Sequence, residues 1–168
     1  MKKMYGGELV EVIVDAHRMG GKVLIAGNGG LAAVAEHFSA ELMGKFAGEV
    51  YIPCIALTAN TALLTALAND YGFEEVFAHQ VRVLGKAHDV LIAMTTSASL
   101  NIFKAVDAGN ESGLTTVVIS GPSSPDIGAL LNYRMRCEDE VGVVQEDILR
   151  LLHHIAREVK ERLSCEFS

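Results

Sequence analysis

The sequence predicts an α/β fold in which helices cover both faces of a parallel sheet. Short apolar runs alternate along the chain with stretches of helical periodicity, and this alternation is typical of parallel strands joined by helical crossovers. The apolar runs are continuously hydrophobic, as expected of strands that are buried on both faces. Half of the 168 residues are hydrophobic and 21% are charged, which suits a globular chain with a sizeable core.

Helices and strands follow one another from end to end. Apolar residues recur at helical spacing from Leu9 to His17, and Gly20 and Gly21 end that helix. The predicted strands cover residues 22–26, 52–57, 89–94, 115–120 and 133–137. The second predicted helix begins at residue 31. The later predicted helices cover residues 59–68, 74–84, 100–112 and 143–163. No linker divides the chain, so we expect one domain, 1–168, with an N-terminal helix 6–19, a core 22–137 and a C-terminal helix 143–163.

Charge and cysteine usage narrow the classes of function. The formal net charge of -7 argues against non-specific nucleic-acid binding, because a phosphate backbone requires a basic surface. The cysteines, Cys54, Cys137 and Cys165, show no paired spacing, which indicates a reducing compartment. No signal peptide and no apolar run of about 20 residues is evident. We therefore expect a cytoplasmic protein that does not span a membrane.

Small and hydroxylated residues end three of the predicted strands. The first strand ends in GNGG (27–30), the second in TANT (58–61) and the third in TTSAS (95–99). Ligands of parallel sheets bind at the carboxyl ends of the strands, and helix N-termini attract anions. These ends together predict a phosphate pocket, although GNGG alone is weak evidence. The spacing matches neither the dinucleotide fingerprint nor the P-loop.

Two helices carry polar residues that share a face. His37 and Glu41 are four residues apart, one helical turn. Gln145 and His153 are eight residues apart on the C-terminal helix, and the residues of the stripe between them are apolar. An inward-facing Gln and His need polar partners. For any one of these histidines alone, a structural role is the favoured interpretation. The other histidines carry no motif and are interpreted as structural: His17, His79, His88 and His154.

Five segments together resemble the sugar isomerase (SIS) domain family, and within it the phosphoheptose isomerases. They are AGNGG (26–30), AEHFSAEL (35–42), ALANDYGFEEVFAHQV (66–81), TTSAS (95–99) and QEDILRLLHH (145–154). Their order and spacing agree with the family over residues 22–162, which is more specific than any one motif. The resemblance implies a flavodoxin-like fold, a three-layer sandwich around a five-stranded parallel sheet. It also implies a homotetramer with active sites between subunits.

The implied reaction interconverts sedoheptulose 7-phosphate and D-glycero-D-manno-heptose 7-phosphate through an enediol. The resemblance assigns Glu41 as the base and His153 as the partner acid/base. It places a zinc site, found in some members, at His37, Glu41, Gln145 and His153. The chemistry agrees, because an enediolate needs a carboxylate base and an electrophile. The implied substrate-binding residues are Asn28, Gly29, Gly30, Asn69, Asp70, Thr95, Thr96, Ser97, Ser99 and Gln145.

Several positions depart from the family pattern. Leu31 stands where the family has a serine that reaches the sugar phosphate, and Val34 replaces an aspartate. The hydroxyl loop is one residue shorter than usual. Val143 and Val144 replace a segment that commonly contains arginine, and Lys45 stands in for another common arginine. The catalytic set is intact, whereas the set that binds the phosphate and the sugar is altered, so the substrate can differ from the usual one.

Three functions are therefore open at this point. An active ketose–aldose isomerase is favoured, because four site residues keep the family spacing. A non-catalytic SIS module that binds a sugar phosphate or a replication-initiation protein is the second. The third is an isomerase for a different sugar phosphate, such as a pentose or an octose.

Overall fold

The computed structural model describes residues 6–166 and contains one five-stranded parallel sheet. The strands are β1 (Val23–Ala26), β2 (Cys54–Ala56), β3 (Val90–Thr95), β4 (Thr115–Ser120) and β5 (Leu131–Arg134). The helices are α1 (Gly7–Arg18), α2 (Gly30–Met43), α3 (Thr61–Tyr71), α4 (Val76–Leu84), α5 (Leu100–Glu111) and α6 (Val141–Glu166), with a 3-10 turn at Phe73–Glu75. Residues 1–5 and 167–168 of the predicted domain lie outside the described residues.

The strand order is β2-β1-β3-β4-β5. This is the flavodoxin-like order, whose topological switch point lies between β1 and β3. Side chains of β1 point alternately to two cores, which explains why the whole strand is apolar. Ile25 packs into the core shared with α1, α2 and α6. Leu24 packs into the core shared with α3, α4 and α5. The predicted three-layer sandwich around a five-stranded parallel sheet is confirmed.

The observed strand and helix boundaries differ from the predicted ones where burial extends beyond regular pairing. β5 begins two residues upstream of the predicted strand 133–137 and ends at Arg134. Beyond it, the Met135 N–H still donates to the Ser120 carbonyl of β4 at 2.8 Å, and Met135 and Cys137 pack against the core. Ile52 and Leu57 are buried on either side of the short β2 in the same way. At α3, the Asn60 side chain accepts a hydrogen bond from the backbone N–H of Leu63 at 3.0 Å, and this cap sets the helix start.

A side-chain hydrogen bond helps to hold α2 in place on the sheet. The Ser39 hydroxyl donates to the backbone carbonyl of Cys54 at 2.9 Å, which joins α2 to β2. Burial raises the pKa of the Cys54 thiol to about 12, so this cysteine is a neutral core residue.

Among the helices of residues 6–166, none combines the length and the apolar character that crossing a bilayer requires.

Candidate active site and metal centre

Three polar side chains converge between α2 and α6. Oε1 of Glu41 lies 3.1 Å from Nε2 of His37 and 3.1 Å from Nε2 of His153. The two histidine nitrogens are 3.0 Å apart. These atoms form a nearly equilateral triangle, which we call the His-Glu triangle. His37 and Glu41 thus share one face of α2, as predicted. His153 joins them from α6, more than a hundred residues farther along the chain.

Local helix geometry and packing orient each member of the His-Glu triangle. His37 and Glu41 are one turn apart on α2, and α6 presents His153 to that turn. Glu41 is buried, with 8% of its surface exposed, whereas His37 is exposed and His153 half-buried. The two imidazole rings meet edge to face, with centroids 5.1 Å apart. The Phe46 ring stacks on His153 at 6.0 Å. The triangle therefore has a buried carboxylate at its base and an open side toward solvent.

The donor set of the triangle fits a metal ion. Two imidazole nitrogens and one carboxylate oxygen are typical ligands of zinc and similar metals. Ligand atoms on a tetrahedral zinc with bonds of about 2.1 Å lie about 3.4 Å apart, close to the observed separations. The other carboxylate oxygen of Glu41, Oε2, is buried, and no hydrogen-bond partner for it is found within residues 6–166. Three electron-rich atoms and an unpartnered carboxylate oxygen would all be stabilised by a cation. His37, Glu41 and His153 can therefore hold a metal ion together.

Gln145 lies against the glycine turn at the start of α2. A Cβ atom added to Gly30 would sit 2.3 Å from Oε1 of Gln145, so only glycine lets the amide come this close. On α6, His153 is eight residues farther along, or about 12 Å along the helix axis. The structure thus brings three of the four predicted metal ligands together and places the fourth beside the predicted phosphate turn.

A pair of asparagines joins the glycine turn to the start of α5. Asn28 Nδ2 donates to Asn101 Oδ1 at 2.9 Å, and Asn101 Nδ2 donates back to Asn28 Oδ1 at 2.8 Å. Asn101 is only 3% exposed. The exchange holds two of the predicted phosphate-binding strand ends next to each other. Asn28 was predicted as a site residue, whereas Asn101 was missed. The sequence signals for it were its position just after the hydroxyl loop and the Ser-x-Asn ending that Ser99 and Asn101 share with the family.

The hydroxyl loop after β3 is partly held by its own backbone. The Thr95 hydroxyl is buried and donates to the Ser97 carbonyl at 2.5 Å, while the Ser97 N–H returns a bond of 3.2 Å to the same hydroxyl. Thr95 therefore shapes the loop. Ser97 is exposed, and Thr96 and Ser99 are half-buried at the start of α5. These three hydroxyls remain at the strand ends where a phosphate was predicted.

The unusual residues of α2 face the core. Leu31 is 2% exposed and Val34 9% exposed, and both pack in the core shared with α1 and α6. Leu31 also packs against Gly27, where a Cβ would sit 2.7 Å from the leucine Cβ. The apolar residue at position 31 is thus accommodated as part of the core.

The remaining predicted residues lie on another element. Asn69 and Asp70 are exposed at the C-terminal end of α3, where the Asn69 amide donates to the Asp70 carboxylate at 2.8 Å. α3 packs mainly on the following 3-10 turn and on α4, whereas the His-Glu triangle lies between α2 and α6. No described contact joins these two residues to the triangle within one chain.

Comparison with known proteins identifies the family of this fold. The SIS domain family pattern matches residues 7–121. A phosphoheptose isomerase of Alkalilimnicola ehrlichii is 40% identical over 96% of this chain and 89% of its own length. That of Aquifex aeolicus is 38% identical over 99% and 90%. The solved structure of phosphoheptose isomerase from Neisseria gonorrhoeae superposes with a TM-score of 0.85 at 34% identity, over 94% of this chain and 86% of that one. By sequence and by fold, the chain belongs to the SIS domain family.

Proposed function

We propose that this protein is a phosphoheptose isomerase that interconverts sedoheptulose 7-phosphate and D-glycero-D-manno-heptose 7-phosphate. The observation that carries this proposal is the His-Glu triangle, in which a buried carboxylate meets two imidazoles within 3.1 Å. Relatives named phosphoheptose isomerase match nearly the whole chain at about two identical residues in five. The enzyme class expected from the sequence, a phosphosugar isomerase, is confirmed by these relatives.

Proton transfer between two neighbouring carbons is the chemical step. Glu41 removes a proton from the carbon beside the carbonyl and returns it to the adjacent carbon, because a carboxylate shielded from water is an effective base. His153 exchanges protons with the oxygen atoms on the opposite side of the enediol. The fold supports these roles, since Glu41 is buried while His153 reaches the open side of the triangle.

We assign the metal site to zinc, with His37, Glu41 and His153 as its protein ligands. Three protein ligands and one open position are the usual set of a catalytic zinc site. A bound zinc ion would supply positive charge that stabilises the enediolate oxygen. Gln145, also predicted as a ligand, lies against Gly30, and this position favours its predicted role in substrate binding.

The phosphate is assigned to the strand ends beside the Asn28–Asn101 pair. Backbone N–H groups of Gly29 and Gly30 and the N-terminus of α5 offer hydrogen-bond donors there. The hydroxyls of Thr96, Ser97 and Ser99 add further donors, and Thr95 fixes the loop that carries two of them. Leu31 supplies no hydroxyl, so the phosphate depends more on the backbone than a serine at that position would require.

Asn69 and Asp70 are assigned to the sugar hydroxyls of a site in a neighbouring subunit of a homotetramer. Two observations support this arrangement. In one chain these residues lie on α3, apart from the His-Glu triangle. In addition, α3 is rich in apolar residues, yet only Leu67 is fully buried, and Tyr71 and Phe73 are 59% and 60% exposed. A cytoplasmic location fits such a sugar phosphate isomerase.

Two observations favour the alternatives of a non-catalytic module or an isomerase for another sugar phosphate. Leu31 is built into the core and offers no hydroxyl. The Thr95 hydroxyl is occupied by its own loop. Both changes affect the recognition of phosphate, whereas neither touches the His-Glu triangle.

Solvent proton exchange tests the proposal directly. The purified protein is incubated in D2O with sedoheptulose 7-phosphate, once with zinc and once after treatment with a chelator. NMR then follows deuterium at the reacting carbons and the appearance of the aldose. We expect both signals from the zinc-supplied protein and a strong loss after chelation. Full activity without metal would leave His153 as the sole electrophile. Absence of exchange from folded, zinc-supplied protein would exclude this substrate, and the same assay with pentose and octose phosphates would then separate the two alternatives.

A further inference from the structure

A fully buried lysine lies on α6, close to the end of α2. Lys160 is 0% exposed and follows His153 by seven residues, two turns farther along the same face of α6. Its ammonium donates to the backbone carbonyl of Gly44 at 2.5 Å, just beyond the last residue of α2. The Tyr51 ring centroid lies 5.8 Å from Nζ. None of the steps assigned above uses this residue.

A buried ammonium is unfavourable unless negative charge compensates for the lost hydration. Here the compensation comes from the carbonyl end of α2, where the helix dipole is negative, and from the charge of Glu41. Burial lowers the pKa of Lys160, and the negative charge of Glu41 opposes that change. An apolar side chain would fill the same space without this cost. The retained charge therefore indicates a role in the site rather than in packing alone.

We propose that Lys160 is a positioning residue for the reaction. Its hydrogen bond to Gly44 fixes the end of α2 against α6, so that Glu41 and His153 meet. Its positive charge also stabilises the Glu41 carboxylate. The kinetic part of this inference rests on the proposed function, whereas the metal-binding part does not. Lys160 does not touch the substrate; it acts through Glu41.

Three variants separate the charge of Lys160 from its bulk. Lys160→Met keeps the length and removes the charge, and Lys160→Arg keeps the charge. Lys45→Met is the matched control, because Lys45 lies at the same end of α2 but is exposed and pairs with Glu49 at the surface. We expect Lys160→Met to weaken zinc binding and to lower kcat by about tenfold or more, with KM little changed, as for other residues that support metal ligands. Lys160→Arg should recover most of both, and Lys45→Met should match the wild type.

A double-mutant cycle in zinc affinity, measured by competition with a chromophoric chelator, tests whether Lys160 acts through Glu41. Lys160→Met is compared in the wild-type and in the Glu41→Gln background. If Lys160 acts through Glu41, its loss weakens zinc binding in the first background and has little further effect in the second. Equal losses in both backgrounds, or a Lys160→Met protein that binds zinc and turns over like Lys45→Met, would overturn the proposal. If Lys160→Met does not fold, Lys160→Gln, which also removes the charge but can still donate a hydrogen bond, completes the same cycle with its Glu41→Gln double variant. A wild type that binds zinc but does not convert the sugar would contradict the proposed function and leave this comparison valid.

Discussion

Glu41 is the carboxylate of α2 that the fold removes from water. The same helix carries Glu36, which stays exposed on the outer face. In the drier environment of the His-Glu triangle, the charge of Glu41 interacts more strongly with nearby protons and cations than a surface carboxylate would. Two glutamates five residues apart on one helix therefore differ in chemistry because they face different surroundings.

Replacing Glu41 by Gln removes the base and retains the shape. We expect kcat for sedoheptulose 7-phosphate to fall by about 10²- to 10⁴-fold, the usual contribution of a positioned acid or base. The thermal unfolding midpoint should change little. Glu36→Gln is the matched control and should behave as the wild type. Unchanged turnover by Glu41→Gln would remove this residue from the mechanism.

At the scale of elements, the site is built where α2 and α6 lie side by side. Near their N-terminal ends they meet at Gly30 and Gln145, and about two turns farther along His37 meets His153. The helices therefore run in the same direction past each other. A change in their spacing at one end alters the geometry at the other, because packed helices move as rigid units.

Substituting Gly30 by Ala tests the close approach between these helices. The new Cβ would sit 2.3 Å from Oε1 of Gln145, so the flexible amide must move away. We expect kcat/KM to fall by about tenfold, with KM affected most, while stability is nearly unchanged because alanine favours a helix. Gly7→Ala at the start of α1 is the control, since a Cβ there meets nothing within 4 Å. Equal kinetics for both variants would exclude Gln145 from substrate binding.

At the scale of the whole molecule, ion pairs hold the turn that follows the helix carrying Asn69 and Asp70. After α3, Glu75 accepts hydrogen bonds from Lys104 of α5 at 2.8 Å and from Arg82 of α4 at 2.9 Å. The hydrogen bond from Lys104, followed by that from Arg82, lowers the pKa of Glu75 below its ordinary value of 4.5. The turn after α3 is thereby tied to two helices of the same layer.

This lowered pKa predicts a pH-dependent stability. The ion pairs contribute fully above the ordinary glutamate pKa, which applies to the unfolded chain, and their contribution is lost as the pH falls through the lower folded-state pKa. Between neutral pH and this acidic range, urea unfolding should show a larger fall in the free energy of unfolding for the wild type than for Glu75→Gln. Glu49→Gln, which removes an exposed pair with Lys45, should follow the wild type. Parallel curves for all three proteins would contradict the prediction.

The assembly proposed for the enzyme is also testable at this scale. Sedimentation equilibrium should give about four times the chain mass of 18.0 kDa. Phe73→Glu places a charge on an exposed aromatic side chain beside α3 and should dissociate the tetramer. Activity should fall with the tetramer fraction, because Asn69 and Asp70 then no longer reach a neighbouring site. A fully active monomer would show that one chain suffices.

The sequence by itself determined the parallel sheet, its covering helices and the pairing of His37 with Glu41 on one face. These features follow from local causes, since strand burial, helical periodicity and glycine turns are visible within short segments. Motif order also predicted the family, which the relatives confirm. The substrate-binding roles stay predictions.

The family resemblance already grouped His153 with His37 and Glu41, but only the tertiary structure decided how the side chains meet across the helices. His153 joins Glu41 and His37, Gln145 lies against Gly30, and Lys160 reaches the end of α2. Periodicity placed Gln145 and His153 on one inward stripe, yet it could not specify that they face different turns of α2. Contacts between segments more than a hundred residues apart depend on how two helices pack on a sheet, and that packing is a property of the folded chain as a whole.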